Sequence, residues 1–208
     1  MKKEESIDNL YKKMDATSKT RFHAARRLRL HSKFATYTIV IISLSLILIS
    51  LMQAYQLGNN INSSLVGLIQ VFSAVAVLVY SLLIDKNDYS NLSEKMYSCA
   101  SMLSELKHKA HPFLGKESHD TEKYIEFCDE YNRILKLYET HSNNDFRGDY
   151  FRAKLEMPEN YKIEGFDWLK MKFLIIVVYV VDFVSYPFVL GALFFVLVWV
   201  WFGGTPSS

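Results

Sequence analysis

Charge is missing from this chain where a soluble protein would need it most. Across 51 consecutive residues, Phe34 to Ile84, there is no Lys, Arg, Asp or Glu. That excludes a soluble core element, which never runs so long without a charge. Cysteine is scarce too, with only Cys99 and Cys128. Their spacing does not suggest zinc. Both fall in a portion placed below on the reducing side of a membrane, which argues against a disulfide. No Gly-rich phosphate loop, nucleophile elbow or H-E-x-x-H run occurs, so the usual marks of nucleotide hydrolases, serine esterases and zinc proteases are absent. His108 and His111 stand three apart on a helix but fall short of a metal's ligand count. We expect no catalytic residue, no cofactor, no metal and no direct nucleic-acid binding.

What is present explains the missing charge. A helix needs roughly 20 apolar residues, at about 1.5 Å each, to cross a hydrocarbon core of about 30 Å. Phe34–Met52 and Leu65–Ile84 both meet that length. Between them Gln53 to Asn62 is polar and uncharged, with turn-formers at Gly58, Asn59 and Asn60. This is a transmembrane hairpin. Residues 1–33 hold ten basic and four acidic residues, and no acid falls within 19–33. Positive flanks stay on the cytoplasmic side, so the N-terminus and residues 85–172 are expected inside. The charged leader is too long for a signal peptide, and no small-x-small cleavage site follows the apolar run. The mean hydropathy of +0.04 averages over these unlike parts and conceals them.

Helical periodicity organises the rest. In residues 5–31, Ile7, Leu10, Met14, Ser18, Phe22, Ala25 and Leu28 recur at three- and four-residue steps. The stretch suits either a membrane-surface helix or one helix of a cytoplasmic bundle, and the periodicity favours the bundle. Leu92, Met96, Cys99, Leu103, Leu106 and Ala110 repeat as a coiled-coil-like seam on a helix expected to end near His111-Pro112. A polar loop over Gly115 to Thr121 leads to a helix with Tyr124, Phe127, Tyr131, Ile134 and Tyr138 on one face. That helix is expected to end near His141 to Asn144. Residues 145–172, with Gly148, Pro158 and Gly165 as breakers, read as irregular, and 151–172 as a cytoplasmic strap leading back to the bilayer.

The third apolar segment covers 173–202. Its 30 residues are too long for one span and too short for two. We expect one crossing, kinked at Pro187, with Trp168, Trp199 and Trp201 at headgroup level and the tail from Gly203 outside. A re-entrant hairpin is the alternative. Asp182 is the ionisable residue of this segment. It is either an intramembrane functional group or an interfacial aspartate near Lys170 and Lys172.

Two stripes mark the hairpin. Thr36, Ser43 and Ser50 recur every seven residues and Gln53 continues them. Gly67, Gln70, Ala74, Val77 and Ser81 form the second. Polar groups in hydrocarbon need partners or water. The stripes serve helix–helix contact, within a chain or between copies, or they line a water path in an assembly.

Lys19-Thr-Arg21-Phe22-His-Ala-Ala25-Arg-Arg27-Leu28, running straight into the hairpin, resembles the lead-in motif of the SLATT family of two-helix membrane effectors. Lys95-Met-Tyr97-Ser-Cys99-Ala-Ser-Met-Leu-Ser-Glu-Leu106 is the second match. Tyr138 and His141 to Phe146 are a third. The resemblance covers about residues 15–150 and is strongest to the subgroup encoded beside reverse transcriptases. It implies an effector of bacterial antiviral conflict systems that oligomerises and forms a pore in the inner membrane. It also implies a partner encoded nearby, either a reverse transcriptase or an enzyme that makes or senses nucleotides. A non-conducting anchor for a soluble partner is the competing role. The third apolar segment departs from the two-helix plan.

The fold expected is all-α. A SLATT-like domain occupies 1–150, with a basic helix at 1–33, the hairpin at 34–84 and cytoplasmic helices at 85–150. The strap at 151–172 and the third membrane segment at 173–202 follow.

Overall fold

The computed structural model describes residues 6–115, 121–138, 147–163 and 165–203. Among these there is no strand. The helices are α1 (Ile7–Ala54), α2 (Ser64–Asn87), α3 (Tyr89–Ala110), a 3-10 turn (His111–Phe113), α4 (Thr121–Leu137), α5 (Arg147–Leu155), α6 (Phe166–Phe183) and α7 (Ser185–Phe202). Three of them, α1, α2 and α7, are long and apolar enough to cross a membrane. The protein is an all-α integral membrane protein.

The two elements expected at 5–31 and 34–52 are one helix. Between Ile7 and Ala54 there is no proline and no glycine, so nothing breaks the hydrogen-bond ladder. At its start the Ser6 hydroxyl accepts from Asn9 N–H at 3.2 Å, an N-terminal cap. Only Asp88 separates α2 from α3. It adopts the left-handed conformation at φ 38° and donates its N–H to Ile84 O, a conformation in which Asp is several-fold enriched. The expected polar loop at 116–120, the end of the helix near His141 to Asn144 and the tail from residue 204 lie outside the described residues.

The chain divides into two compact units at Arg29/Leu30, Tyr89/Ser90 and Val180/Val181. The first unit is a helical bundle. Leu10 and Met14 of α1, Cys99, Leu103, Leu106 and Ala110 of α3, and Phe127 and Ile134 of α4 form its core. Five of the six seam positions of α3 are buried, four of them in this core, and Leu92 is half-buried. The Phe113 and Phe127 rings pack edge to face at 5.6 Å. A second patch buries Ala16 of α1 against Ala153 and Met157. The 151–172 strap is therefore not irregular throughout. Arg147–Leu155 is helical, Pro158 follows its end, and Gly165 at φ +62° precedes α6. Pro158 and Gly165 bound short helices, whereas Gly148 lies inside α5 and does not break it.

The second unit holds the membrane helices. His31, Ala35, Thr38, Ile42, Ser45, Ile49 and Met52 of α1 are buried, a strict 4-3 repeat that puts one seam inward. Val200 of α7 packs with Ile49, Met52, Ile61 and Val66 at one end. There the hairpin loop closes over the C-terminus of α7. Asn60 N–H donates to Val200 O at 3.2 Å and its side-chain amide donates to Trp199 O at 3.2 Å. The last carbonyls of a helix lack full intrahelical pairing; here Trp199 O also accepts from the capping Gly203 N–H at 2.9 Å. Gly58, at φ +105°, lets the loop approach, because a Cβ there would meet Val200 O at 2.8 Å.

At the other end of α7, Tyr186 lies against Phe34, rings stacked at 5.9 Å. The 18 residues of α7, about 27 Å of helix, thus run the length of the hairpin once. Within the third apolar segment, α7 is the helix long and apolar enough to cross a membrane. The segment's backbone stays helical across the junction of α6 and α7, with Val184 at φ −59° and ψ −28°. Only the hydrogen-bond ladder is interrupted there, three residues before Pro187. The proline ring clashes with the carbonyl four residues back and has no N–H to offer it, so the ladder stops at Phe183 and restarts.

Candidate functional site

The residues singled out in the membrane helices meet at one point. Gln70 donates from Nε2 to Gln53 Oε1 at 3.1 Å, joining the two stripes near the loop. Elsewhere the hydroxyls turn back on their own helices. Thr36 donates to Ser32 O at 2.9 Å, Ser50 to Leu46 O at 2.9 Å and Ser81 to Val77 O at 2.8 Å. Thr36, Ser50 and Ser81 are exposed, and Ser43 is half-buried. A Cβ added at Gly67 would meet nothing within 4 Å, so this glycine mediates no close approach of helices within one chain.

The buried polar seam lies two positions along. Thr38 and Ser45, also seven apart, are inside, and Ser45 donates to Ile41 O at 2.8 Å. His31 continues the seam. Its ring stacks on Phe183 at 4.1 Å and on Tyr89 at 5.5 Å, and its Nδ1 lies 3.3 Å from the Tyr186 hydroxyl. The period that marks Thr36 and Ser43 marks Thr38 and Ser45 equally. In a helix apolar all round, that period alone does not say which face turns inward. Asp182 is half-buried in the last turn of α6, before the junction at Val184.

The motif residues ahead of the hairpin have a different task. In the helical unit they fix α1 to its neighbours. Lys19 pairs with Asp15 at 3.1 Å, and Lys107 of α3 reaches the same carboxylate at 2.9 Å. Burial works to raise the Asp15 carboxyl, but the two ammoniums outweigh it and hold it below the usual range. Arg21 donates to Met96 Sδ at 3.0 Å. Phe22 packs edge to face on Tyr97 at 5.5 Å. The Ala25 carbonyl accepts from Ser93 Oγ at 2.8 Å, and the Ala100 carbonyl accepts from Ser18 Oγ at 3.0 Å. Leu28 and Cys99 are buried, and burial pushes the Cys99 thiol up, leaving it a protonated, packed side chain.

On the adjoining face of α1 the contacts are ionic. Arg27 Nε donates to Asp149 Oδ2 at 3.1 Å, both side chains well buried. Burial drives the Asp149 carboxyl up against the pull of Arg27. His23 Nε2 lies 2.9 Å from Glu156 Oε2. Neither partner was nameable from sequence, since each lies more than 120 residues away. Among the described residues no group of His, Cys, Asp and Glu is arranged to hold a metal.

The model of a family described as SMODS and SLOG-associating 2TM effector domain family 5 matches residues 3–200. The match reaches the last turn of α7 and takes in all but its last two residues. Comparison with curated proteins and with solved structures gives no match.

Proposed function

The chain belongs to the SMODS and SLOG-associating 2TM effector domain family 5, a membrane effector domain of conflict systems, and we propose that it permeabilises the bacterial inner membrane as a triggered oligomer. The trigger is a partner encoded nearby, a reverse transcriptase or an enzyme that makes or senses nucleotides, acting on the helical bundle from the cytoplasm. One observation carries this reading. The membrane helices leave most of their surface uncovered, with 6% of the spanning window of α2 and 11% of that of α7 buried. Thr36, Ser50 and Ser81 lie on that uncovered surface. Lipid serves the apolar groups, but a polar stripe is better served by another copy or by water.

The test combines a membrane-potential dye with oligomer size in cells where the system is triggered. The native chain should collapse the potential. Gln70→Leu and Ser43→Leu should leave the oligomer intact and slow the collapse, because they remove the polar lining. Val79→Leu, off the stripes, should do neither. If the stripe variants instead dissociate, by the roughly 0.6–2 kcal/mol of a lost interhelical contact, the stripes are glue. An intact potential in the triggered native chain would make the protein a passive anchor.

Orientation has its own check. Asn59 is exposed in the loop, whereas Asn60 is buried under α7. A cysteine at Asn59 should react with a membrane-impermeant maleimide in intact spheroplasts, and Cys128 should react only after lysis. Reaction of Cys128 in intact spheroplasts would reverse the topology.

A further inference from the structure

Within the helical unit, the turn after α5 and the start of α6 enclose an open-sided cleft of about 340 Å³. Lys154, Lys162, Tyr161, Ile163 and Trp168 line it. Among the described residues its lining holds two lysines and no carboxylate. The Lys154 ammonium is held over the Tyr150 ring at 4.6 Å and the Tyr161 ring at 5.0 Å, which places the cation without neutralising it. Burial and the neighbouring Tyr150 push the Tyr161 phenol up, so it stays uncharged and offers no competing anion. The other lining is apolar or aromatic.

The cleft's position in the chain is as telling as its lining. Trp168 stands five residues before Phe173, where the third apolar segment begins. Lys172 lies over its ring at 4.0 Å. Phe166, Leu169 and Phe173 of the same helix are exposed. An indole beside lysines at the start of an apolar run is the pattern of a headgroup-level anchor.

We propose that this cleft binds the phosphate of an anionic phospholipid headgroup, with Lys154 and Lys162 on the phosphate and Trp168 and Ile163 against the glycerol and upper acyl chain. A lysine is a point charge that takes a phosphate from many directions, and basic pockets beside membrane helices take anionic headgroups. The proposal stands on the chain's location in a membrane and not on pore formation.

The test is native mass spectrometry of the detergent-solubilised full chain, titrated with phosphatidylglycerol or with phosphatidylcholine. The native chain should retain phosphatidylglycerol about thirtyfold better, the size expected of two lysines at an anionic surface. Lys154→Gln with Lys162→Gln should abolish the preference. Lys154→Arg with Lys162→Arg should keep it, which separates lost charge from lost folding. Lys136→Gln with Lys170→Gln changes net charge equally outside the cleft and should also keep it. Equal retention of the two lipids, a preference that survives the cleft variant, or one that falls equally in the control would overturn the proposal. Inorganic phosphate is the second probe. If it displaces phosphatidylglycerol at equal concentration, the cleft is a site for a free anion and the lipid assignment fails.

Discussion

Leu103→Asp should dismantle the helical bundle and abolish effector action while the chain still inserts in the membrane. Leu103 is fully buried and sits in the core shared by α1, α3 and α4. Losing the side chain alone costs about 2–5 kcal/mol. Burying a carboxylate with no partner adds several kcal/mol more, and whole domains are stable by only about 5–15 kcal/mol. Insertion is set by the hydropathy of the spans, which the substitution leaves alone. The expected result is rapid trypsin cleavage between α3 and α4, loss of toxicity, and full resistance to carbonate extraction. Leu103→Met, a swap of similar volume that costs less than about 1.5 kcal/mol, should behave as native. Native protease resistance in the Asp variant would mean that α3 does not pack on its 4-3 seam.

That seam was legible because hydrophobic period and charge agree along α3, with Glu94, Glu105 and Lys109 on its outer faces. The hairpin was legible for a simpler reason. Fifty-one residues without charge have few other folds open to them. Two kinds of information were not in the pattern. In α1 beyond Leu30 almost every residue is apolar or small, so hydropathy does not choose between the Thr36–Ser43 face and the Thr38–Ser45 face, and packing on α7 chooses instead. In the lead-in motif, the apolar positions announced a buried face, but His23 and Arg27 looked like solvated charges. They are buried because Glu156 and Asp149 arrive from residues far along the chain. Periodicity reports which side chains prefer the interior, and it is silent about charges that enter the interior in pairs. The interruption of the hydrogen-bond ladder at Val184 was half legible. Pro187 announced it, but the disruption falls where the proline's missing partner is, one turn earlier.

The pair of Arg27 and Asp149 gives the second large effect, with a sign that separates a buried ion pair from ordinary packing. Arg27→Ala should destabilise the helical unit by about 3–5 kcal/mol, because it strands a buried carboxylate. Adding Asp149→Asn should restore more than half of that loss, since the amide has no charge to desolvate. Acid should do the same. Burial already raises the Asp149 carboxyl above its ordinary value of 3.8 with Arg27 in place, and without Arg27 nothing comparable opposes it. A carboxyl whose folded-state pKa lies above its unfolded value binds its proton more tightly when folded, so protonation favours folding. That stabilisation is fully present below the unfolded value and is lost as pH rises through the folded one. The Arg27→Ala protein should therefore gain stability relative to native as pH falls from neutral toward the raised pKa, and the double variant should not. Pulse proteolysis in detergent at several pH values reads both effects. An Arg27→Ala penalty that is independent of pH and unrelieved by Asp149→Asn would mean that Arg27 acts through the packing of its stem and not through its charge.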